Sequence, residues 1–144
     1  MAHTIDLIAG QAVNTWATGS NASENALEIG NDTDVGTLQA DIAQADTIEL
    51  HFPKFTDGRA YSQAVQLRRR LGFKGDIRAT GEVLIDQLVQ MQRSGFSSAV
   101  LRGDQDAKHA AKLLQQYSGF YQGDDSAGLQ HTQQARPHFA KVAA

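Results

Sequence analysis

The stretch Thr47-Ile48-Glu49-Leu50-His51-Phe52-Pro53, with the run Lys54 to Gly72 behind it, decides the fold. Residues 47–52 alternate with period two and are rich in β-formers, so they read as a strand. Pro53 cannot donate to a sheet ladder and stops it. From Asp57 to Leu71 the period changes: Ala60, Ala64, Leu67 and Leu71 fall on one helical stripe, and Gly72 ends it. A strand followed at once by a helix is the unit from which parallel sheets are built.

Downstream the unit recurs. Asp76 to Thr80 is a second strand. Glu82 to Arg93 is a helix with Val83, Leu84, Leu88 and Met91 on one side, closed by Gly95. Ser98 to Arg102 is a third strand, and Asp104 is placed to cap a third helix reaching about Tyr117, with Ala107, Ala110, Ala111 and Leu114 inward. The order β-α-β-α-β-α with short connections predicts parallel strands and right-handed crossovers. The class is α/β, a small parallel unit resembling part of a barrel.

Upstream, Leu38 and Ile42 place a short helix over Thr37 to Ala45. Residues 1–35 form an irregular N-terminal segment with one or two short strands, at Ile5 to Ile8 and at Leu27 to Ile29. Asn14 to Asn31 otherwise reads as loop around Trp16. Residues 1–122 make a single domain. Residues 123–144, Gln- and Ala-rich with little to bury, predict a flexible C-terminal tail.

Composition narrows the chemistry. The chain has 144 residues, 41% hydrophobic and 20% charged, which is ordinary for one globular domain. It has no cysteine, which removes thiol nucleophiles, disulfides and Cys-ligated clusters or zinc. No apolar run approaches the ~20 residues that span a bilayer, and the N-terminus lacks a signal-peptide pattern. The expected location is the cytoplasm. A net charge of −3 gives no drive toward nucleic acid or anionic membrane. Arg68, Arg69 and Arg70 form a basic cluster expected on the exposed side of the helix. His109, His131 and His138 lack partners at metal-ligand spacing, so no metal site is expected. There is no dinucleotide fingerprint, and no cofactor is evident.

In parallel α/β sheets ligands gather beyond the carboxyl ends of the strands, where the βα loops meet. The longest and most polar of the three regular loops is Pro53 to Arg59. Thr56 or Asp57 is placed to cap the helix that follows, and its first-turn amides, flanked by Lys54 and Arg59, suit a small oxyanion. Tyr61, Ser62 and Arg102 are further candidate ligand contacts. The alternative is a capped turn with surface cations and no ligand.

The strands make a second point. Ile48, Leu50 and Phe52 share one face, Glu49 and His51 the other. Ile77 and Ala79 oppose Arg78 and Thr80; Ala99 and Leu101 oppose Val100 and Arg102. With the apolar faces under the helices, Glu49, His51, Arg78, Thr80 and Arg102 line the opposite face. A parallel sheet is normally buried on both sides, so this face must meet the N-terminal segment, a second subunit or a polar cavity. Its plainest content is an ion pair, Glu49–Arg78 or Glu49–Arg102. His51, with Glu49 and Arg78 beside it, is a candidate for acid–base catalysis, or a structural residue.

The strings Phe52 to Ala64, Gly75 to Leu88 and Met91 to Phe96 resemble a bacterial family of unknown function, over roughly residues 36–121. Its members are labelled probable oxidoreductases involved in sulfite reduction because their genes lie beside those of sulfite reductase. Ser94 stands where that family frequently has Cys, and Ser97 where it frequently has Asp. The resemblance implies a pathway, assimilatory sulfite reduction, rather than a mechanism. The expected role is an accessory or interaction protein, with sulfite reductase or a related assimilatory enzyme as partner and a homodimer as a further assembly. The alternative is a small oxyanion-binding enzyme or oxidoreductase subunit using the 53–62 loop. Neither a nucleic-acid nor a membrane partner is expected.

Overall fold

The computed structural model describes residues 3–7, 11–13 and 25–116. In chain order they form β1 (His3–Asp6), β2 (Gln11–Val13), β3 (Ala26–Ile29), a 3-10 turn (Val35–Leu38) leading into α1 (Gln39–Gln44), β4 (Thr47–Phe52) and α2 (Arg59–Arg69). Then come β5 (Asp76–Gly81), a second 3-10 turn (Ile85–Gln87) leading into α3 (Leu88–Ser94), β6 (Ser98–Leu101) and α4 (Ala107–Gln116). The six strands form one sheet in the order β2-β1-β6-β5-β4-β3. Strands β3 to β6 are parallel neighbours in chain order. Strand β1 runs antiparallel to β6, and β2 antiparallel to β1.

That order has a geometric consequence. Each βα unit steps the same way along the sheet, and right-handed crossovers then put every helix on one side. The apolar strand residues follow. Ile5, Ile29, Ile48, Leu50, Phe52, Ile77, Ala79, Ala99 and Leu101 are all buried on that side. They meet Ala60, Ala64 and Leu67 from α2, Leu88 and Met91 from α3, and Ala110 and Leu114 from α4 in a single core. The two alanines let α2 sit close to β4, so the larger Phe52, Tyr61 and Phe96 rings can interlock at one end of it. Phe52 meets Tyr61 edge-on at 5.2 Å between centroids, and Tyr61 meets Phe96 at 6.2 Å. Fully burying a side chain the size of Phe52 stabilises the fold by about 1.5–3 kcal/mol.

Several boundaries differ from the sequence reading. The first strand is His3–Asp6 rather than 5–8, and β2 was not expected at all. Helix α3 starts late, because the chain first makes the tight turn at Ile85–Gln87. Asp104 does not cap α4. The Asp106 carboxylate takes that place, accepting from the Lys108 amide at 2.9 Å, while Asp104 is engaged elsewhere. Neither Thr56 nor Asp57 stands at the N-cap of α2; Gly58 does, with no side-chain cap, while the Asp57 carboxylate accepts from the Arg59 amide one residue further on. The loop around Trp16, the tail at 123–144, His131 and His138 lie outside the described residues.

The Arg68–Arg70 cluster is also corrected. Arg69 and Arg70 are exposed, but Arg68 turns inward. Its Nε donates to the Gly95 carbonyl, and one terminal nitrogen donates to the Phe73 and Gly75 carbonyls, each at 2.8 Å. Burial lowers its pKa to about 10. Gly95 ends α3 with φ of 112°, and a Cβ there would stand 2.6 Å from the Arg68 Cγ. A glycine is needed both for the left-handed turn and for the arginine.

Candidate functional site

The carboxyl ends of the parallel strands carry four βα loops, and side-chain bonds join each loop to the next. From the loop after β3, the Asn31 amide donates to Asp57 at 2.7 Å. From the turn after β5, Gln87 Nε2 donates to the Phe55 carbonyl at 2.7 Å. From the loop after β6, Gln105 Oε1 accepts from the Ile85 amide at 3.1 Å, and Arg102 reaches Glu82 at 2.8 Å. The rim is thus held as one surface. This matters because a loop free to rearrange loses entropy on binding, whereas a fixed one does not.

Within the rim, the 53–62 segment is the longest piece. The Asp57 amide closes a turn onto the Lys54 carbonyl. The Asp57 carboxylate accepts from the Arg59 amide at 3.2 Å and from its guanidinium through Nε at 3.1 Å and a terminal nitrogen at 2.8 Å. The guanidinium bond is the main reason the Asp57 carboxyl is held down at about 2, and the same bond raises Arg59. The first free amide of α2 and its nearest cation are therefore both occupied by a carboxylate of the same turn. Lys54 and Thr56 are exposed. Phe55 is 50% exposed, the one large apolar side chain so displayed among the described residues.

The remaining candidates fall into separate places. Tyr61 faces the Phe52 and Phe96 rings; its hydroxyl is buried without a partner, and burial, aided by the Asp86 charge, pushes it to about 12. Ser62 is exposed and lines a groove of about 460 Å³ with Arg59, Arg70 and the 31–36 loop. Arg102 is gripped by Asp104 at 2.7 Å through two nitrogens and by Glu82. Asp104 first and Glu82 next raise the arginine, and the arginine holds Asp104 well below the usual carboxylate range. On the polar sheet face, Glu49 pairs with Arg78 at 3.3 Å, and Arg78 also meets Asp76 at 3.2 Å. Of the two ion pairs expected for Glu49, the structure makes this one, since Arg102 is engaged at the rim. His51 Nδ1 lies 3.4 Å from the Thr80 hydroxyl. Among the described residues, no three His, Asp or Glu side chains are grouped to hold a metal.

Asn31, Gln87 and Gln105 are not among the candidate site residues expected from the sequence. Each is an ordinary polar residue whose partner is either a backbone group or a residue 20 to 32 positions away. Only the position of each beside a predicted strand end carried any signal.

Fold and rim together define a two-layer α/β domain of four consecutive βα units, with a polar sheet face opposite the helices and a fixed loop surface at the strand ends. The chain belongs to the family described as "Bacterial protein of unknown function (DUF934)", whose model matches residues 26–132. No curated protein and no solved structure matches the chain. No helix among the described residues is long and apolar enough to cross a membrane.

Proposed function

We propose that this protein is an accessory, partner-binding component of assimilatory sulfite reduction, and that the loop rim is the surface it presents. The carrying observation is Phe55. It is half exposed on a loop pinned by Gln87 from behind and by the Lys54–Asp57 turn beneath. An exposed aromatic on a fixed surface is the usual anchor of a protein contact, because its burial needs little ordering. Lys54 beside it supplies a cation for an acidic rim on the partner. The pathway comes from the resemblance at Phe52 to Ala64 and Gly75 to Leu88, and the partner expected is sulfite reductase or a related assimilatory enzyme.

The test is capture of purified sulfite reductase by immobilised wild-type protein, Phe55→Ala and Phe55→Asp. Binding should fall by at least about tenfold in Phe55→Ala, the size of a central aromatic contact, and further in Phe55→Asp. Equal capture by all three, or none by the wild type, would sink the proposal.

The alternative, oxyanion binding at the 53–62 loop, draws on Arg59, whose side chain remains 60% exposed. It is the weaker reading, because an incoming anion must displace or neighbour the Asp57 carboxylate. Titration with sulfite, sulfate and phosphate decides it: affinity in the wild type that disappears in Arg59→Ala would favour this reading over the first.

A further inference from the structure

Beside the rim, a groove of about 460 Å³ runs between α2 and the loop from Asn31 to Gly36, and Phe55 does not line it. Its volume is within the range of small-ligand sites. Both walls are fixed. Gln63, at the base, donates through Nε2 to the Gly30 and Thr33 carbonyls, each at 2.8 Å, and so pins the loop to the helix. The Thr33 amide turns back onto the Gly30 carbonyl at 3.1 Å, and Asn31 holds Asp57. The groove therefore exists before anything enters it.

The helix wall carries unused hydrogen-bonding capacity. Ser62, Gln66 and Arg70 line the groove at intervals of four residues. Among the described residues, their side chains make no hydrogen bond or ion pair. At a rise of about 1.5 Å per residue they stand about 6 Å apart along the axis and span about 12 Å. An extended peptide repeats its groups on one side every second residue, about 6.6 Å. The two periods nearly coincide over three positions. The residue types agree with the spacing. An amide such as Gln66 donates and accepts, as does a hydroxyl such as Ser62, and each peptide residue offers one N–H and one C=O.

The groove is also polarised along its length. One end has the exposed Arg70. At the other, Asp32 lies within electrostatic reach of Arg59. The Arg59 guanidinium is already held by Asp57, so that end is left with a net negative charge. The base lacks a donor. Its two carbonyls fix the orientation of the Gln63 amide, and Oε1 is left buried with no partner among the described residues. A ligand with N–H groups brings the kind of donor that is missing.

We propose that this groove binds a short extended peptide of about four residues with free ends, its amino end at Asp32 and its carboxylate at Arg70. Four residues at about 3.3 Å each match the span from Ser62 to Arg70. The arginine fork suits a carboxylate because it pairs with both oxygens. A polyanionic chain is disfavoured by Asp32 and Asp34, and a polycationic one by Arg59 and Arg70. The site is independent of Phe55 and its partner.

Tetra-alanine with free ends, titrated calorimetrically, is the probe. The wild type should bind it with a Kd on the order of 1 mM or below. Amidating the carboxyl end should weaken binding at least about tenfold, the scale of a charge-assisted pair, and so should Arg70→Ala. The amidated peptide should lose nothing further on Arg70→Ala, because the same contact is already gone. Acetylating the amino end should stand in the same relation to Asp32→Asn. Gln66→Ala should cost about threefold, the loss of neutral hydrogen bonds. Phe55→Ala should bind as the wild type does. A wild type that fails to saturate overturns the proposal. So does an amidated peptide that binds as well as the free one. An equal loss in Lys74→Ala, an exposed cation outside the groove, overturns it too and assigns the binding to general charge.

Discussion

The two ends of α2 each carry an arginine with three polar contacts, and they behave oppositely. At the start, Arg59 lies exposed and takes a carboxylate two residues away. At the end, Arg68 is drawn inward and donates to the carbonyls of Gly95, Phe73 and Gly75, joining the ends of α2 and α3 to the connection before β5. One cation is satisfied locally in water; the other replaces water for three backbone acceptors. The first kind adds little to stability, because a surface pair is screened and gives up side-chain freedom. The second kind is costly to remove, because the acceptors stay behind without donors.

The largest effect should come from Arg68→Ala, which ought to lower the unfolding free energy by about 3 kcal/mol in urea titration, the cost of several orphaned carbonyls. Arg59→Ala, read in the same experiment, should leave the midpoint in place. Equal losses at the two positions would break the comparison. Gly95→Ala comes next, at about 2 kcal/mol, from the left-handed turn and the collision with Arg68. In an Arg68→Ala background that loss should shrink by about 1 kcal/mol, since the collision is gone while the turn remains.

The smallest effect belongs to acid. The Asp57 carboxyl is held at about 2 against an ordinary 3.8, so folding favours its charged form. That contribution is complete above pH ~4 and is lost as pH falls toward ~2. Asp57→Asn should therefore flatten the decline of stability across that window, and a slope unchanged from wild type would contradict the assignment.

Much of the fold was legible because period and burial coincide. Thr47 to Phe52 alternates, and its apolar half is the half that is buried. The four-residue stripe from Ala60 predicted which side of α2 faces the sheet. Strand β2 was not legible, because three residues carry too little pattern to stand out from a polar stretch. The inward turn of Arg68 was hidden for a different reason. Its acceptors are carbonyls, which every residue has, so Arg68, Arg69 and Arg70 look alike in sequence. At the rim, the residue types around Phe55 drew notice, while its exposure depended on Gln87 and the turn at Lys54, which no spacing shows.

The hairpin of β1 and β2 has a consequence for how such a fold can grow. Four βα units stepping in one sense make half the circumference of an eight-stranded barrel. A tandem duplicate would close only if β6 of one half paired in parallel with β3 of the next. That edge of β6 is already taken, antiparallel, from His3↔Leu101 to Asp6↔Ser98. The hairpin is a chain terminator in the polymer sense, and gene duplication alone would yield two tethered halves rather than a closed ring.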